Sequence, residues 1–113
     1  MTLQKLDREQ WSEFCHRMSN GLTGKRAEIE IASPDMGVQI EARWLPLIGV
    51  AYDPKSDIIE IVLEGLDHMV FHPREFYVDY GVAGIESLGI VDHNSVWQIV
   101  LLRDPLKLPA AGG

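Results

Sequence analysis

The chain has 113 residues, 46% apolar and 24% charged, with one cysteine and a formal net charge of −7. That length suits one domain that buries a core without help from metal, and a lone cysteine excludes an internal disulfide. No apolar run reaches the length of a membrane-spanning helix and the first residues lack the apolar stretch of a secretory signal, so the expected setting is the cytoplasm.

The first predicted element is a helix in "LDREQWSEFCHRMSNGL". Asp7 stands at the N-cap with Gln10 three residues on, the pattern of a capping box, and Leu6 and Trp11 occupy the positions of a hydrophobic staple. Trp11, Phe14, Cys15 and Met18 follow the i, i+3, i+4, i+7 spacing and form one apolar stripe, with Glu9, Glu13 and Arg17 opposite. Asn20-Gly21 is read as the left-handed stop.

After Gly24 the period changes from 3.6 to 2. Ala27, Ile29 and Ile31 alternate with polar residues, as do Val38, Ile40, Ala42 and Trp44, and "SPDMG" joins the two runs as a turn. This predicts a hairpin with one buried and one wet face. Pro46 is expected at a bend or edge, since it donates nothing to a ladder. A second hairpin turns at Asp53–Asp57, "HMVFH" is a short extended run stopped by Pro73, and "EFYVDYG" is a strand. A last hairpin turns at Asp92–Ser95.

One helix followed by six or seven hairpin-connected strands predicts an α+β domain over residues 1–108, with a flexible tail over 109–113. In this reading an N-terminal amphipathic helix packs on a bent antiparallel sheet. So many strands in so short a chain favour curling into a small half-barrel. The element order matches Sm-like and SH3-like small barrels, an outline that carries no function.

The charge is unevenly spread. Residues 1–26 hold Lys5, Arg8, Arg17, Lys25 and Arg26 against Asp7, Glu9 and Glu13, a local +2, and the remainder carries −9. An acidic sheet region repels a phosphate backbone, so nucleic-acid binding through Arg17, Lys25 and Arg26 is disfavoured.

The candidate ligand site is the segment "LEGLDHMVFHPREFYVDYG", with His68, His72, Glu75 and Tyr77. On a helix His68 and His72 would share a metal, as in H-E-x-x-H sites. On a strand they lie roughly 13 Å apart, at about 3.3 Å per residue, too far for zinc. Met69, Val70, Phe71 and Pro73 favour the strand, so no metal or other cofactor is expected, and the two histidines read as surface residues. Cys15-His16 is no nucleophile–base pair, because helical neighbours point about 100° apart. Asp53, Asp57, Glu60, Glu64 and Asp67 lack the alternate spacing of a calcium loop and read as a turn followed by a wet strand face. Gly81, Gly84 and Gly89 lack the strand–turn–helix setting of a dinucleotide site and are expected at a bulge or bend. The chain holds no P-loop, G-x-S-x-G or paired-cysteine zinc pattern. Trp11, Trp44 and Trp97, with Tyr52, Tyr77 and Tyr80, are expected mostly in the core.

The stretch "GKRAEIEIASPDMGVQIEARWLPLIGVAYDPKSDIIEIVLEGLDHMVFHPREFYVD" and the closing "IVLLRDPLKLP" resemble a family of small bacterial proteins classed as a domain of unknown function. The resemblance runs over nearly the whole chain and implies a stand-alone bacterial protein, with no activity or site residue to carry over. With no catalytic constellation in view, the residues favour a non-enzymatic binding or interaction module. Its partner is an unidentified protein or a second copy of the chain. The alternatives are a small-ligand protein or enzyme with a pocket near His68 and His72, and a nucleic-acid-binding small barrel.

Overall fold

A computed structural model describes residues 2–22, 24–82 and 84–104, and the tail expected over 109–113 lies outside them. In chain order these residues form β1 (Thr2–Lys5), a 3-10 turn (Arg8–Gln10), α1 (Trp11–Gly21), β2 (Arg26–Ser33), β3 (Gly37–Asp53) and β4 (Ile58–Leu63). Then follow β5 (Leu66–Phe71), β6 (Glu75–Gly81), β7 (Gly84–Val91) and β8 (Trp97–Arg103). The eight strands make one sheet in the order β1-β6-β7-β8-β2-β3-β4-β5, and every pairing is antiparallel. The antiparallel sheet with one short helix agrees with expectation. The count does not, since there are eight strands where six or seven were expected. The helix is also not the first element. β1 precedes it, and all four of its residues are exposed, so it has no buried alternation to betray it. Its register against β6, from Thr2↔Tyr80 to Lys5↔Tyr77, is what makes it a strand.

The start of α1 follows its local signals. The Asp7 amide donates to Gln10 Oε1 at 3.1 Å, half of the capping box. Leu6 and Trp11 are both buried, and Trp11 Nε1 donates to the Leu6 carbonyl at 3.2 Å. The end of the helix differs from expectation. The helix runs through Gly21, and the left-handed residue is Gly24, with φ +94°. Trp11, Phe14, Cys15 and Met18 are all buried, each contributing roughly 1.5–3 kcal/mol if a full apolar side chain leaves water. Trp11 meets Tyr52 of β3 edge-on at 5.1 Å and Phe76 of β6 at 5.9 Å, and Phe14 also meets Phe76. Ser19 Oγ donates to the Val50 carbonyl at 2.8 Å and accepts from its amide. One helix thus touches β6 and β3, which stand four places apart in the sheet, so the sheet bends around α1. The ladder itself stays open, with β1 and β5 as its edges.

β3 is the element that shapes the sheet. It pairs with β2 up to Pro46 and with β4 from Leu47, so Pro46 sits at the change of partner, where its missing N–H costs least. The β2–β3 register shifts twice, around Ile29, opposite Glu41–Trp44. Trp44 takes φ 54° there, its carbonyl held by Arg26 and its ring covered by the Arg103 guanidinium at 4.0 Å. The bulge reverses the phase of the strand. Ala42 lies opposite Ile29 and is buried, while Ile40 and Val38 lie opposite Glu30 and Ala32. The expected buried row of Val38, Ile40, Ala42 and Trp44 is therefore broken, and Val38 is 65% and Ile40 46% exposed. The buried residues form one cluster, from the α1 stripe to Ile29, Ile61, Val78, Leu88 and Val100.

Candidate functional site

The structure does not bring His68, His72, Glu75 and Tyr77 to one place. β5 pairs with β4 from Ile58↔Phe71 to Leu63↔Leu66 without a register shift, so the histidine segment is an unbroken strand. His68 stands opposite Ile61, which is buried, and therefore faces the core; the expectation of a surface residue is corrected. Its Nε2 lies 2.6 Å from Gln98 Oε1. Gln98 Nε2 donates to Asp92 Oδ2 at 3.0 Å, which turns the amide oxygen toward His68 and makes His68 the donor. Asp92 Oδ1 in turn accepts from the amides of Asn94 and Val96. The chain His68–Gln98–Asp92 ties edge strand β5 to the β7–β8 hairpin. His93 Nδ1, 3.2 Å from the Phe71 carbonyl, and the Arg74 amide, which donates to the Val91 carbonyl at 2.7 Å, close the same gap.

His72 follows β5 with φ 51° and points elsewhere. Its Nδ1 is 3.4 Å from Asp57 Oδ2, and its ring meets His93 edge-on at 5.4 Å. Asp57 Oδ1 accepts from Arg8 at 3.1 Å and from the Tyr52 hydroxyl at 2.8 Å. Arg8 also donates to the Tyr52 hydroxyl and, at 2.7 Å, to the Pro73 carbonyl, and lies over the Trp11 ring. Desolvation works to raise the Asp57 pKa, but the hydrogen bonds from Tyr52 and His72 and the Arg8 charge outweigh it and hold the carboxyl below its usual range. Tyr52 is pushed up, first by desolvation and then by its bond to Asp57. An open cleft of about 900 Å³ lies beside this cluster, lined by Arg8, Tyr52 and Asp57 with Asp7, Glu9, Ser12 and Pro54. Arg8 and Asp57 spend their hydrogen bonds on each other and on neighbouring strands. The cluster therefore acts as a clasp joining the helix start to the β3–β4 turn and the β5–β6 connection. Nothing in the sequence pattern announced Arg8, because its partners lie 44 to 65 positions away.

Glu75 and Tyr77 begin β6 on the side of the sheet away from α1. Tyr77 donates to the Glu75 carboxylate, a bond that pushes the tyrosine pKa up. Its ring stacks on Trp97 at 5.4 Å. Gly89 makes room for that stack, since a Cβ there would sit 3.1 Å from the Trp97 ring. Trp97 itself is 38% exposed, against the expectation that the large aromatics mostly pack inside.

The remaining candidates take structural places. Cys15 is fully buried and desolvation pushes its thiol up to about 12, which keeps it protonated and a poor nucleophile. Asp53 accepts from the Lys55 amide and the Ser56 hydroxyl and closes its own turn, as expected for that run of acids. Gly81 and Gly84 bound the β6–β7 hairpin, beside a register shift at Asp79/Tyr80, also as expected. Among the described residues no group of three or more His, Cys, Asp or Glu is placed to hold a metal ion. No helix among them is long and apolar enough to cross a membrane.

Fold and geometry together define a small antiparallel-sheet protein with one covering helix and one open sheet face. The chain belongs to a family of unknown function, DUF5335, whose model matches residues 2–111. It is similar to an uncharacterized protein of Aquifex aeolicus (strain VF5), with 31% identity over 110 residues that cover 96% of this chain and 99% of that protein. These matches bear out the resemblance to an uncharacterised bacterial family. No solved structure matches the chain.

Proposed function

We propose that this is a non-enzymatic protein-interaction module of the cytoplasm that binds a basic, amphipathic segment of another protein on the open face of its sheet. In this reading the amphipathic helix plugs a half-barrel from one side and leaves the other side for the partner. The observation that carries it is the side-chain pattern of that face. Directly paired residues of a sheet share a face. One row is Val38, Ala32, Trp97, Val91 and Glu75; the next is Ile40, Glu30, Ile99, Gly89, Tyr77 and Lys5; the third is Glu28, Leu101, Ser87, Asp79 and Leu3. Leu3, Val38, Ile40 and Trp97 are exposed large apolar residues within these rows. Val38, Ile40 and Trp97 lie toward the β3 side of this face with Glu30 among them, and Leu3 lies at the β1 edge, so apolar and acidic side chains are interspersed. Exposed apolar surface set among polar residues is what an interaction site presents.

The charge on the face favours a cationic occupant. Glu28 and Glu30 are close enough that their hydrogen bond raises the Glu30 pKa; Glu28 is buried and lies 3.8 Å from Arg43, which leaves Glu30 as the more available acid. Asp79 Oδ1 is buried with no hydrogen-bond partner among the described residues. A second copy carries the same acids and the same net −7, so it is the less favoured occupant. Six strands at about 4.8 Å and three rows at about 7 Å give a footprint of about 24 by 14 Å, which suits a transient contact. Glu75 and Tyr77 belong to this surface, whereas His68 and His72 serve to hold it in shape.

The test is fluorescence titration of Trp97 with an 18-residue amphipathic Leu/Lys helix, beside the Val38→Ser/Ile40→Ser variant. The expected result is a dissociation constant in the tens of micromolar, weakened at least fivefold in the variant. Equal affinity for both proteins would mean non-specific charge attraction and would overturn the proposal. Sedimentation velocity decides the competing occupant: a dimer lost in the same variant would assign the face to self-association instead.

A further inference from the structure

We infer that a second, separate pocket, under the C-terminal end of α1, binds a small apolar carboxylate. The cavity measures about 400 Å³ and lies between the last turns of α1 and the β6–β7 hairpin. That volume is within the range of small-molecule sites and accommodates roughly ten to fifteen non-hydrogen atoms. Its walls are apolar: Phe14, Met18 and Leu22 are buried members of the core cluster, and Ile85 packs against it. Its rim carries two cations, Arg17 and Lys25. Lys25 is paired with Asp104 at 2.9 Å, while Arg17 has no ion-pair partner among the described residues. Tyr80 also lines the pocket, and its hydroxyl makes no hydrogen bond to another described residue.

Three features narrow the ligand class. Lys25 is balanced by Asp104, so Arg17 is the one cation at the pocket mouth without an ion-pair partner among the described residues, and in a chain of net charge −7 that single positive charge favours an anion there. The carbonyl end of α1 lies at the same place and disfavours a bare anion at depth. Apart from Arg17 and Lys25, the described residues that line the pocket carry no charge, and Phe14, Met18, Leu22 and Ile85 offer dispersion contacts. A ligand that satisfies all three places an aliphatic or aromatic body inside and a carboxylate outside, at Arg17, with the Tyr80 hydroxyl as a further donor. Arg17 suits the role because its planar fork matches a carboxylate bidentately. This site stands apart from the open sheet face, and neither reading depends on the other.

The experiment is isothermal titration of the intact chain with decanoate below its micelle concentration, beside decanol and inorganic phosphate. The chemical shifts of Met18 and Ile85 methyls are followed to locate the binding. Decanoate is expected to bind with a dissociation constant of roughly 300 µM, the weak affinity usual for a ligand of its size. Decanol is expected to bind at least tenfold more weakly, and phosphate not to bind. Arg17→Gln, on the exposed side of the helix, should weaken decanoate about tenfold and leave decanol unchanged. Ile85→Trp, which fills the cavity, should abolish both. The inference is overturned if decanoate does not bind, if decanol matches it, if phosphate competes with it, or if Arg17→Gln leaves its affinity unchanged.

Discussion

Asp57 shows how much of this molecule is decided by single side chains acting at a distance. It stands in a turn with φ 56°, a conformation that Asp and Asn tolerate better than most residues, and its carboxylate collects Arg8, Tyr52 and His72. Asp57→Asn keeps the turn and removes the charge. Its folded pKa is depressed, so the stability it contributes is present above the ordinary value of 3.8 and is lost as the pH falls through the folded value. The side chain is about one-third exposed, so solvent screening reduces the contribution. The variant should cost about 1 kcal/mol in urea unfolding at pH 7, and the difference should shrink as the pH falls below 3.8 and the carboxyl takes up its proton. A cost that persists unchanged at low pH would assign the effect to shape instead of charge. Asp57 was legible as a residue of a turn and Tyr52 as an aromatic of the strand before it. Their clasp with Arg8 was not, because no local pattern encodes a contact spanning 49 positions.

Among the elements, α1 and β3 show the two ways local reading succeeds and fails. The stripe and staple of α1 are properties of sequence spacing, and the burial of Leu6, Trp11, Phe14, Cys15 and Met18 follows from them. Its terminus does not, because Gly21 and Gly24 both fit a C-cap pattern and only one is needed. Gly24 holds φ +94° and Gly21 does not, and a Cβ on either would meet nothing within 4 Å. The two alanine variants should therefore move in opposite directions. Gly21→Ala is expected to stabilise by about 0.5–1 kcal/mol through helix propensity, and Gly24→Ala to destabilise by about 1–2 kcal/mol. Thermal unfolding of the pair checks this, and equal shifts would refute it. In β3 the alternation of Val38, Ile40, Ala42 and Trp44 is regular in sequence, but the bulge at Glu41–Trp44 inserts residues that the period cannot show. Two apolar side chains are thereby carried from the core side to the open face.

At the scale of the whole molecule, an open sheet with edges β1 and β5 is held in shape by a few half-buried polar links. His68–Gln98–Asp92 is one, spanning β5 and β8, which are not neighbours in the ladder. His68→Leu would fill the space and leave the Gln98 oxygen, in a residue 7% exposed, without its donor. The expected cost is about 1–2 kcal/mol, with faster amide exchange confined to β5. Unchanged exchange in β5 would show that the link does not hold the edge. The balance of exposed acid against exposed apolar surface also belongs to this scale, since neither property marks a partner until strand order places them together.

The sequence by itself determined the helix and its buried stripe, the hairpin turns, the antiparallel character of the sheet and the family. Each of these rests on local spacing or on similarity along the chain. Tertiary structure alone decided that His68 faces inward and His72 joins a clasp, that Val38 and Ile40 turn outward, and that Arg17 and Lys25 meet at one apolar pocket. Those outcomes depend on register, on a bulge and on contacts between residues far apart in the chain, and a linear pattern records none of the three.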